Sequence, residues 1–432
     1  MSTQLLTAPL LRAQRRLPNG LRVVVQHDRH MSGCAVAVNY RAGFRDEPRS
    51  RAGFAHLFEH MMFQGSRNVA PGQHFAEIQA AGGAVNGNTF TDHADYFQTG
   101  PSAALDRILA LEADRMAHLS ITEHNLDVQR RVVVEEINLQ LHNRAYGGFP
   151  WTVLPAALYR GWSNTHNGFG STDELAAATV AECRSFYEQF YAPGNAAIGV
   201  CANADPDELL AAVGRHFAEL PARPIPCQPR RPEPEASISW QHRAHEHVDG
   251  LAPRPALALG WRLPDARTSL AEYACYTTLS ALLTGGTHGA LRRLLRAHEA
   301  MADTSVGLFG PLMAIDPDTF VLVVHHNRGL RDAVLNTIDD LLTRVSSGDF
   351  DDRVEAARLA TLTELHQRLD VPAYRVRLMT RGALLFDNAG LAEDYAAALG
   401  AVATAGVRSA AEHLRHGLDR GLATLETAGD GR

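Results

Sequence analysis

The stretch GFAHLFEHMMF, Gly53–Phe63, decides how the rest of the sequence is interpreted. If it is helical, His56 and His60 lie one turn apart on the same face, and Glu59 lies beside them. Two imidazoles at that spacing can hold one metal ion, and a nearby carboxylate that does not bind the ion can act as a general base. The stretch therefore predicts a buried helix that carries metal-assisted chemistry.

The same pattern would also arise in an amphipathic helix whose histidines only line a core, in a chain with 21 His among 432 residues. The apolar flanks argue against this reading, because they place the helix among other hydrophobic groups on most sides. Two His and a Glu are costly to bury there unless something pairs them, and a divalent metal does so. H-x-x-E-H is also the reverse of the H-E-x-x-H pattern of zinc proteases.

A catalytic zinc takes three protein ligands and leaves one position open, so a third ligand must come from another segment. The predicted helix over residues 125–142 contains RRVVVEEINL, Arg130–Leu139, with two adjacent carboxylates. Only one of Glu135 and Glu136 can face inward from a helix. The residues alone leave that choice open.

Together these segments resemble the pitrilysin/insulinase family, which includes the mitochondrial processing peptidase. That family pairs H-x-x-E-H with a Glu about 76 residues past the second His, in a V-x-x-E context. Glu136 stands 76 residues after His60, and Val133 supplies the Val. Further segments that match the family are Arg45–Pro48, Gly82–Gly83, Asn86–Thr89, Leu111–Met116, Phe190–Asn195 and, more loosely, Gly260–Pro264 and residues 285–294.

The resemblance implies a zinc-dependent endopeptidase with one zinc per chain, which hydrolyses peptides or processes a precursor peptide. It assigns the zinc ligands as His56, His60 and Glu136, and it makes Glu59 the catalytic base. Glu135 would then face outward. The resemblance also assigns peptide binding to an edge strand at Asn86, Gly87 and Asn88, by backbone pairing; the alternative is an ordinary strand.

Two positions depart from the family pattern. The family often has a Glu seven residues before the metal-binding Glu, where this chain has Gln129; such a carboxylate would tune the metal site. Active members also need an Arg and, seven residues later, a Tyr from a C-terminal domain. Here Arg296 matches the Arg, but Asp303 stands in place of the Tyr.

The second departure predicts a heterodimer in which a homologous subunit supplies the Arg and the Tyr. The alternative is a non-catalytic structural or binding subunit of a larger complex. Such subunits usually lose a ligand or the base, whereas this chain keeps all four residues, which favours the enzyme.

The fold class that we predict is α+β, with two similar domains, each a mainly antiparallel sheet with helices packed on it. Residues 1–222 form the catalytic domain, 223–238 a proline-rich linker, and 239–432 a second, similar domain without metal. The parallel order of predicted elements in the two halves suggests an internal duplication. Three local predictions are a single helix over 173–190, a strand over 306–309, and a solvated helix face for the basic cluster at Tyr374, Arg375, Arg377 and Arg381. The alternative for this cluster is contact with a peptide carboxylate.

Composition limits the classes of partner. The net charge is −7 and no basic patch stands out, so nucleic acid is not expected as a partner. The five Cys are scattered and indicate neither a disulfide framework nor a thiolate metal site. No apolar run reaches the length of a membrane span.

Arg12, Arg15 and Arg16 weakly suggest a presequence, but a strand is predicted from Leu21, and we expect a cytoplasmic protein. His242, His245 and His247 lie in a polar stretch that we predict to be a loop.

Overall fold

The first half of the chain forms a six-stranded sheet with the order β1-β2-β6-β3-β5-β4. The computed structural model describes residues 11–224, 244–286, 288–416 and 420–427. Its first six strands are β1 (Arg12–Arg16), β2 (Arg22–His27), β3 (Gly33–Tyr40), β4 (Ala84–Thr89), β5 (Ala94–Pro101) and β6 (Ala196–Ala202). β2 and β6 are parallel, and the other neighbours are antiparallel. β4 therefore forms one edge of this sheet.

The described part of the first half contains nine helices, which apart from α5 and α6 share an apolar core with one face of this sheet. They are α1 (Phe54–Met61), α2 (Gln73–Ala80), α3 (Leu105–His118), α4 (Glu123–Ile137), α5 (Leu154–Leu158), α6 (Trp162–Thr165), α7 (Thr172–Ala176), α8 (Val180–Phe190) and α9 (Pro206–Phe217). α4 continues as a π-helical turn, Asn138–His142. The single helix predicted over 173–190 is wrong, because Thr179 and Glu182 form a capping box that starts a new helix at Val180.

The second half forms a five-stranded sheet with the order β7-β11-β8-β10-β9. Its strands are β7 (Ala244–Asp249), β8 (Ala256–Arg262), β9 (Met301–Val306), β10 (Thr319–His325) and β11 (Arg420–Thr427). The order and the one parallel pair, β7 with β11, repeat those of β2-β6-β3-β5-β4. The repeated topology supports the internal duplication, and β9 is the counterpart of the edge strand β4.

The described part of the second half contains seven helices, six of which share an apolar core with the second sheet, while α14 lies mainly against the first sheet. They are α10 (Leu270–Thr284), α11 (Ala290–Leu295), α12 (Arg331–Ser347), α13 (Asp351–Leu369), α14 (Pro372–Leu385), α15 (Leu391–Gly400) and α16 (Thr404–His416). The predicted α+β class with two similar sheet-and-helix units is confirmed. The strand predicted over 306–309 is wrong: β9 ends at Val306, and Gly307 and Gly310 adopt left-handed conformations that turn the chain into a loop.

Each sheet is covered on its other face by a helix from the opposite half. α14 packs on β3 and β6 of the first sheet, and α5 packs on β8 and β11 of the second. Gly199 in β6 permits the close approach of α14, since a Cβ there would lie 2.0 Å from the Thr380 hydroxyl. The solvated face predicted for the basic cluster is therefore wrong: Arg381 is 2% exposed, and its neighbours reach across to the first sheet.

Several smaller predictions are settled by the same strands. Arg12, Arg15 and Arg16 lie in β1, which pairs with β2. His245 and His247 lie in β7 rather than in a loop. His242 and nearly all of the predicted linker fall outside the described residues. In the part of the chain that the structure describes, no helix is both long and apolar enough to cross a bilayer.

Candidate metal centre and its cavity

The structure brings His56, His60 and Glu136 together where α1 packs against α4. The Nε2 atom of His56 lies 3.6 Å from Oε1 of Glu136, and the Nε2 atom of His60 lies 3.3 Å from Oε2. All candidate ligand atoms fall within 4.8 Å of one another. Glu135 is exposed, as the family resemblance predicts for the outward-facing carboxylate.

This geometry fits a zinc ion. Bonds of about 2.0–2.1 Å in a tetrahedral site separate the ligand atoms by roughly 3.4 Å. The distances from Glu136 to the two imidazoles bracket that value. Two imidazole nitrogens and one carboxylate also match the donor set of catalytic zinc sites. Elsewhere in the described ranges, no other three His, Cys, Asp or Glu side chains converge in this way.

The orientation of His56 is fixed by a backbone carbonyl. Its Nδ1 lies 3.4 Å from the carbonyl oxygen of Phe169, which favours the tautomer with Nε2 free to bind a metal. Gly53, at the start of α1, lets this segment approach, because a Cβ there would lie 2.9 Å from Cα of Gly170. A larger residue at 53 would push the carbonyl away from the ring.

A buried carboxylate holds the N-terminus of α1. Glu47 accepts hydrogen bonds from the backbone N–H groups of Gly53 (2.9 Å) and Ala55 (2.8 Å), and Nε2 of His166 lies 3.2 Å from it. A negative charge at a helix N-terminus is favourable because the unpaired N–H groups and the helix dipole attract it. Sequence reasoning quoted Glu47 only as part of the family resemblance and gave it no role.

Glu59 lies on the same helix, close to the edge strand. Its Cγ is near Gly87, where an added Cβ would approach it to 3.3 Å, so glycine permits α1 and β4 to meet here. Burial raises the pKa of Glu59, although a hydrogen bond from Thr89 and the nearby His56 and His60 act in the opposite direction. Hydrogen bonds from the two imidazoles hold the pKa of Glu136 well below its ordinary value. Glu59 is thus the carboxyl of this pair better suited to exchange a proton.

The predicted peptide-binding residues lie on the sheet edge beside this site. Asn86 is exposed, Gly87 is buried, and Asn88 is half-buried. The amide of Asn88 donates to the buried carboxylate of Asp95 at 3.0 Å. Asp95 in turn accepts two hydrogen bonds from Arg377 of α14, at 2.7 and 3.2 Å. The second half therefore supports the edge strand through one ion pair, which the sequence did not indicate.

Gln129 and Asp303 occupy the positions where the chain departs from the family pattern. Gln129 is buried on α4, seven residues before Glu136. Asp303 lies on the edge strand β9, is exposed, and forms an ion pair with Arg292. Arg296 lies in the short turn that follows α11. The consequences of both departures for the reaction stay predictions.

A cavity of about 280 Å³ opens beside the metal ligands and is lined by both halves of the chain. His56, Glu59 and Glu136 form one end. Aromatic rings make up much of the remaining wall: Phe44, Phe90, Trp151, Phe169 and Phe309. Phe309 and Asp318 come from the second half. Sequence reasoning missed them, since they stand about 170 or more residues from any metal ligand.

Comparisons with known proteins agree with the geometry. The model for the insulinase family, peptidase family M16, matches residues 22–146, and the model for the M16 inactive domain matches residues 177–356. The chain is 26% identical over 342 residues to zinc protease PqqE of Helicobacter pylori, a match that covers 77% of this chain and 74% of that protein. Mycobacterial relatives named zinc proteases are matched over about half of their length.

Solved structures share the fold. A protease from Helicobacter pylori superposes with a TM-score of 0.87 at 21% identity, covering 96% of this chain and 100% of that one. The periplasmic protease PqqL of Escherichia coli gives a TM-score of 0.72 at 20% identity; the match covers 96% of this chain but 47% of PqqL. This chain therefore spans about half the length of that protein.

Proposed function

Because the chain belongs to the insulinase (M16) peptidase family, we propose that it is a zinc-dependent endopeptidase that hydrolyses peptide bonds. One observation carries the proposal: two imidazoles and a carboxylate converge at metal-binding distance, with a second carboxylate beside them that is not needed as a ligand. His56, His60 and Glu136 would hold one zinc per chain. Peptides are the proposed substrates, bound along β4 at Asn86, Gly87 and Asn88.

The residues divide the chemistry between them. Bound zinc lowers the pKa of a water and polarises a carbonyl group. Glu59 is placed to take a proton from a water and to pass it to the leaving amine, and its raised pKa suits a group that both accepts and donates. The Phe169 carbonyl keeps His56 in one tautomer. The N–H groups capped by Glu47 keep α1, and with it both imidazoles, in position.

Replacing the general base tests this function. Glu59→Gln is expected to bind one zinc per chain, measured by elemental analysis, and to lower kcat on a quenched fluorescent peptide by about 100-fold or more, as for loss of a general base. Glu136→Gln should lose zinc as well as activity. Glu135→Gln is the matched control, since that carboxylate faces outward, and it should keep both. Normal turnover by Glu59→Gln would exclude the mechanism.

We also propose that the active form is a heterodimer with a homologous subunit that supplies an Arg and a Tyr. The support is Asp303, which stands at the Tyr position and is paired with Arg292 rather than free to meet a substrate. The same observation favours the second candidate, a non-catalytic subunit. Retention of Glu59 beside the three candidate ligands favours the enzyme. The cytoplasmic location of the protein stays a prediction.

A further inference from the structure

The cavity beside the metal ligands is lined by aromatic rings from both halves of the chain. The ring of Phe169 lies 6.1 Å from the ring of His56, edge to face. The ring of Phe309, from the second half, meets Phe44 at 6.0 Å and Phe90 at 5.7 Å, also edge to face. Phe309 is 41% exposed, which is unusual for a ring in such contacts. An exposed aromatic surface at a cavity mouth is typical of a binding site.

The size of the cavity suits one large side chain. Its volume is about 280 Å³, whereas an apolar cavity of about 150 Å³ in another protein accepts benzene. A phenylalanine, tyrosine, tryptophan, leucine or methionine side chain would therefore fit with room for its approach. Aromatic walls gain from such a guest by edge-to-face contact and by loss of water from both surfaces.

Two charged side chains line this cavity besides the metal-site residues and His166. Arg45 donates to both oxygens of Asp92 at 3.0 Å, and it also reaches the carbonyl groups of Ile315 and Pro317. One oxygen of Asp318, Oδ1, accepts the backbone N–H groups of Leu308 (3.1 Å) and Thr319 (2.8 Å), whereas its Oδ2 is buried without a hydrogen-bond partner among the described residues. Arg45 is therefore held by the protein rather than set up to bind an acidic side chain, and the aromatic rings that make up much of the wall favour an apolar guest.

The position of the cavity along β4 indicates which side of the cleaved bond it serves. Glu59 approaches Gly87, whereas Asn88, Thr89 and Phe90, farther along the chain, line the cavity. β4 pairs antiparallel with β5, and a peptide that extends the sheet in the same sense would run opposite to β4. The residues of such a peptide that lie beyond Gly87 toward Phe90 are those on the N-terminal side of the cleaved bond.

We propose that this cavity binds a bulky apolar side chain, preferentially aromatic, on the N-terminal side of the scissile bond, and that Phe309 from the second half determines this specificity. The inference rests on the proposed peptidase function for its substrate class. It adds that the specificity pocket is shared between the two halves of one chain.

The test is cleavage-site profiling of an unbiased peptide mixture by mass spectrometry, with the chain in its active assembly. Aromatic and large aliphatic residues should be enriched on the N-terminal side of cleaved bonds. Phe309→Ala should lower kcat/KM about 10-fold for a peptide with Phe at that position and less than twofold for the same peptide with Ala. Phe309→Glu should shift the preference toward Lys and Arg. Leu359→Ala, also an exposed apolar residue but outside the cavity lining, is the control.

A binding measurement separates this inference from the proposed function. Fluorescence anisotropy with Glu59→Gln should show tighter binding of the Phe peptide than of the Ala peptide, and adding Phe309→Ala should abolish the difference. If that difference appears but the wild-type chain in its active assembly cleaves nothing, the peptidase function fails and the pocket stands. If peptides are cleaved without apolar preference, or Phe309→Ala affects both peptides equally, the pocket assignment is overturned.

Discussion

Asp318 illustrates how a single buried side chain couples stability to pH. Burial raises its pKa from 3.8 to about 7, although two backbone N–H groups and Arg45 favour the charged form. An unfolded chain would lose this proton near pH 4, whereas the folded chain keeps it until about pH 7. Folding therefore retains a proton between these values, and stability falls as pH rises through that window, by at most about 4 kcal/mol.

Asp318→Asn should remove this dependence. The amide oxygen can still accept the N–H groups of Leu308 and Thr319, so the fold is preserved. Calorimetry from pH 4 to pH 8 should show a gain in Tm that is small at pH 4, grows toward pH 7 and is constant above it. Asp316→Asn is the control, because that carboxylate is paired with Arg262 near the surface. A gain of the same size at every pH would contradict the account.

Among the elements, α14 links the second half to the peptide-binding edge. Arg377 holds Asp95, and Asp95 holds Asn88, so loss of the guanidinium should loosen β4 without touching the metal ligands. Arg377→Gln is expected to raise KM for peptides several-fold, with zinc content unchanged and kcat reduced less. Arg375→Gln is a matched control on the same helix, since its partner Asp28 lies away from β4. If both variants change KM equally, Arg377 contributes only to the stability of the fold and does not position the edge strand for peptide binding.

Most elements follow from local signals, and the exceptions have identifiable causes. The helix predicted over 125–142 corresponds to α4 and its π-helical turn, but it begins two residues earlier because the Thr122 side chain accepts a hydrogen bond from the Asn125 backbone N–H. β2, β3 and β10 follow from their apolar runs. α8 was merged with α7, because the capping box at Thr179 competes with good helical periodicity on both sides. The basic cluster on α14 was misassigned since the partners Asp28 and Asp95 lie more than 280 residues away.

The candidate site likewise contains some residues that local patterns predict and others that depend on distant contacts. The spacing within Gly53–Phe63 is local and dictates which side chains share a face of α1. The choice of Glu136 over Glu135 came from the family resemblance, because helical periodicity alone allows either. The position of Phe309, and the contacts that Arg45 and Asp92 make with Ile315 and Pro317 in the second half, depend on how the two sheets pack. No pattern in either segment predicts that packing.

At the scale of the whole molecule, the two units share a strand order but carry different side chains at corresponding places. The α1 helix carries the metal ligands, while α10, which follows β8 as α1 follows β3, carries Thr277, Ser280 and Thr284 instead. The edge strands β4 and β9 are equivalent in the two sheets. The second unit nevertheless contributes to the site of the first, through Phe309, Asp318 and α14. The halves are therefore expected to act together rather than as independent domains.

The second unit contributes residues to the candidate site of the first, but it lacks the Tyr that the proposed partner subunit would supply. If a partner subunit supplies the Tyr, as proposed, the isolated chain with its Asp303 should bind zinc but cleave peptides slowly, because one oxyanion donor contributes roughly 100- to 1,000-fold to kcat. Adding a homologous subunit that carries the Arg and Tyr should raise kcat/KM by about 100-fold and produce a 1:1 complex by analytical ultracentrifugation. A Tyr→Phe change in that subunit should remove most of the gain, whereas Asp303→Asn in this chain should not. Full activity from this chain alone, unchanged by the added subunit, would show that it completes its own site.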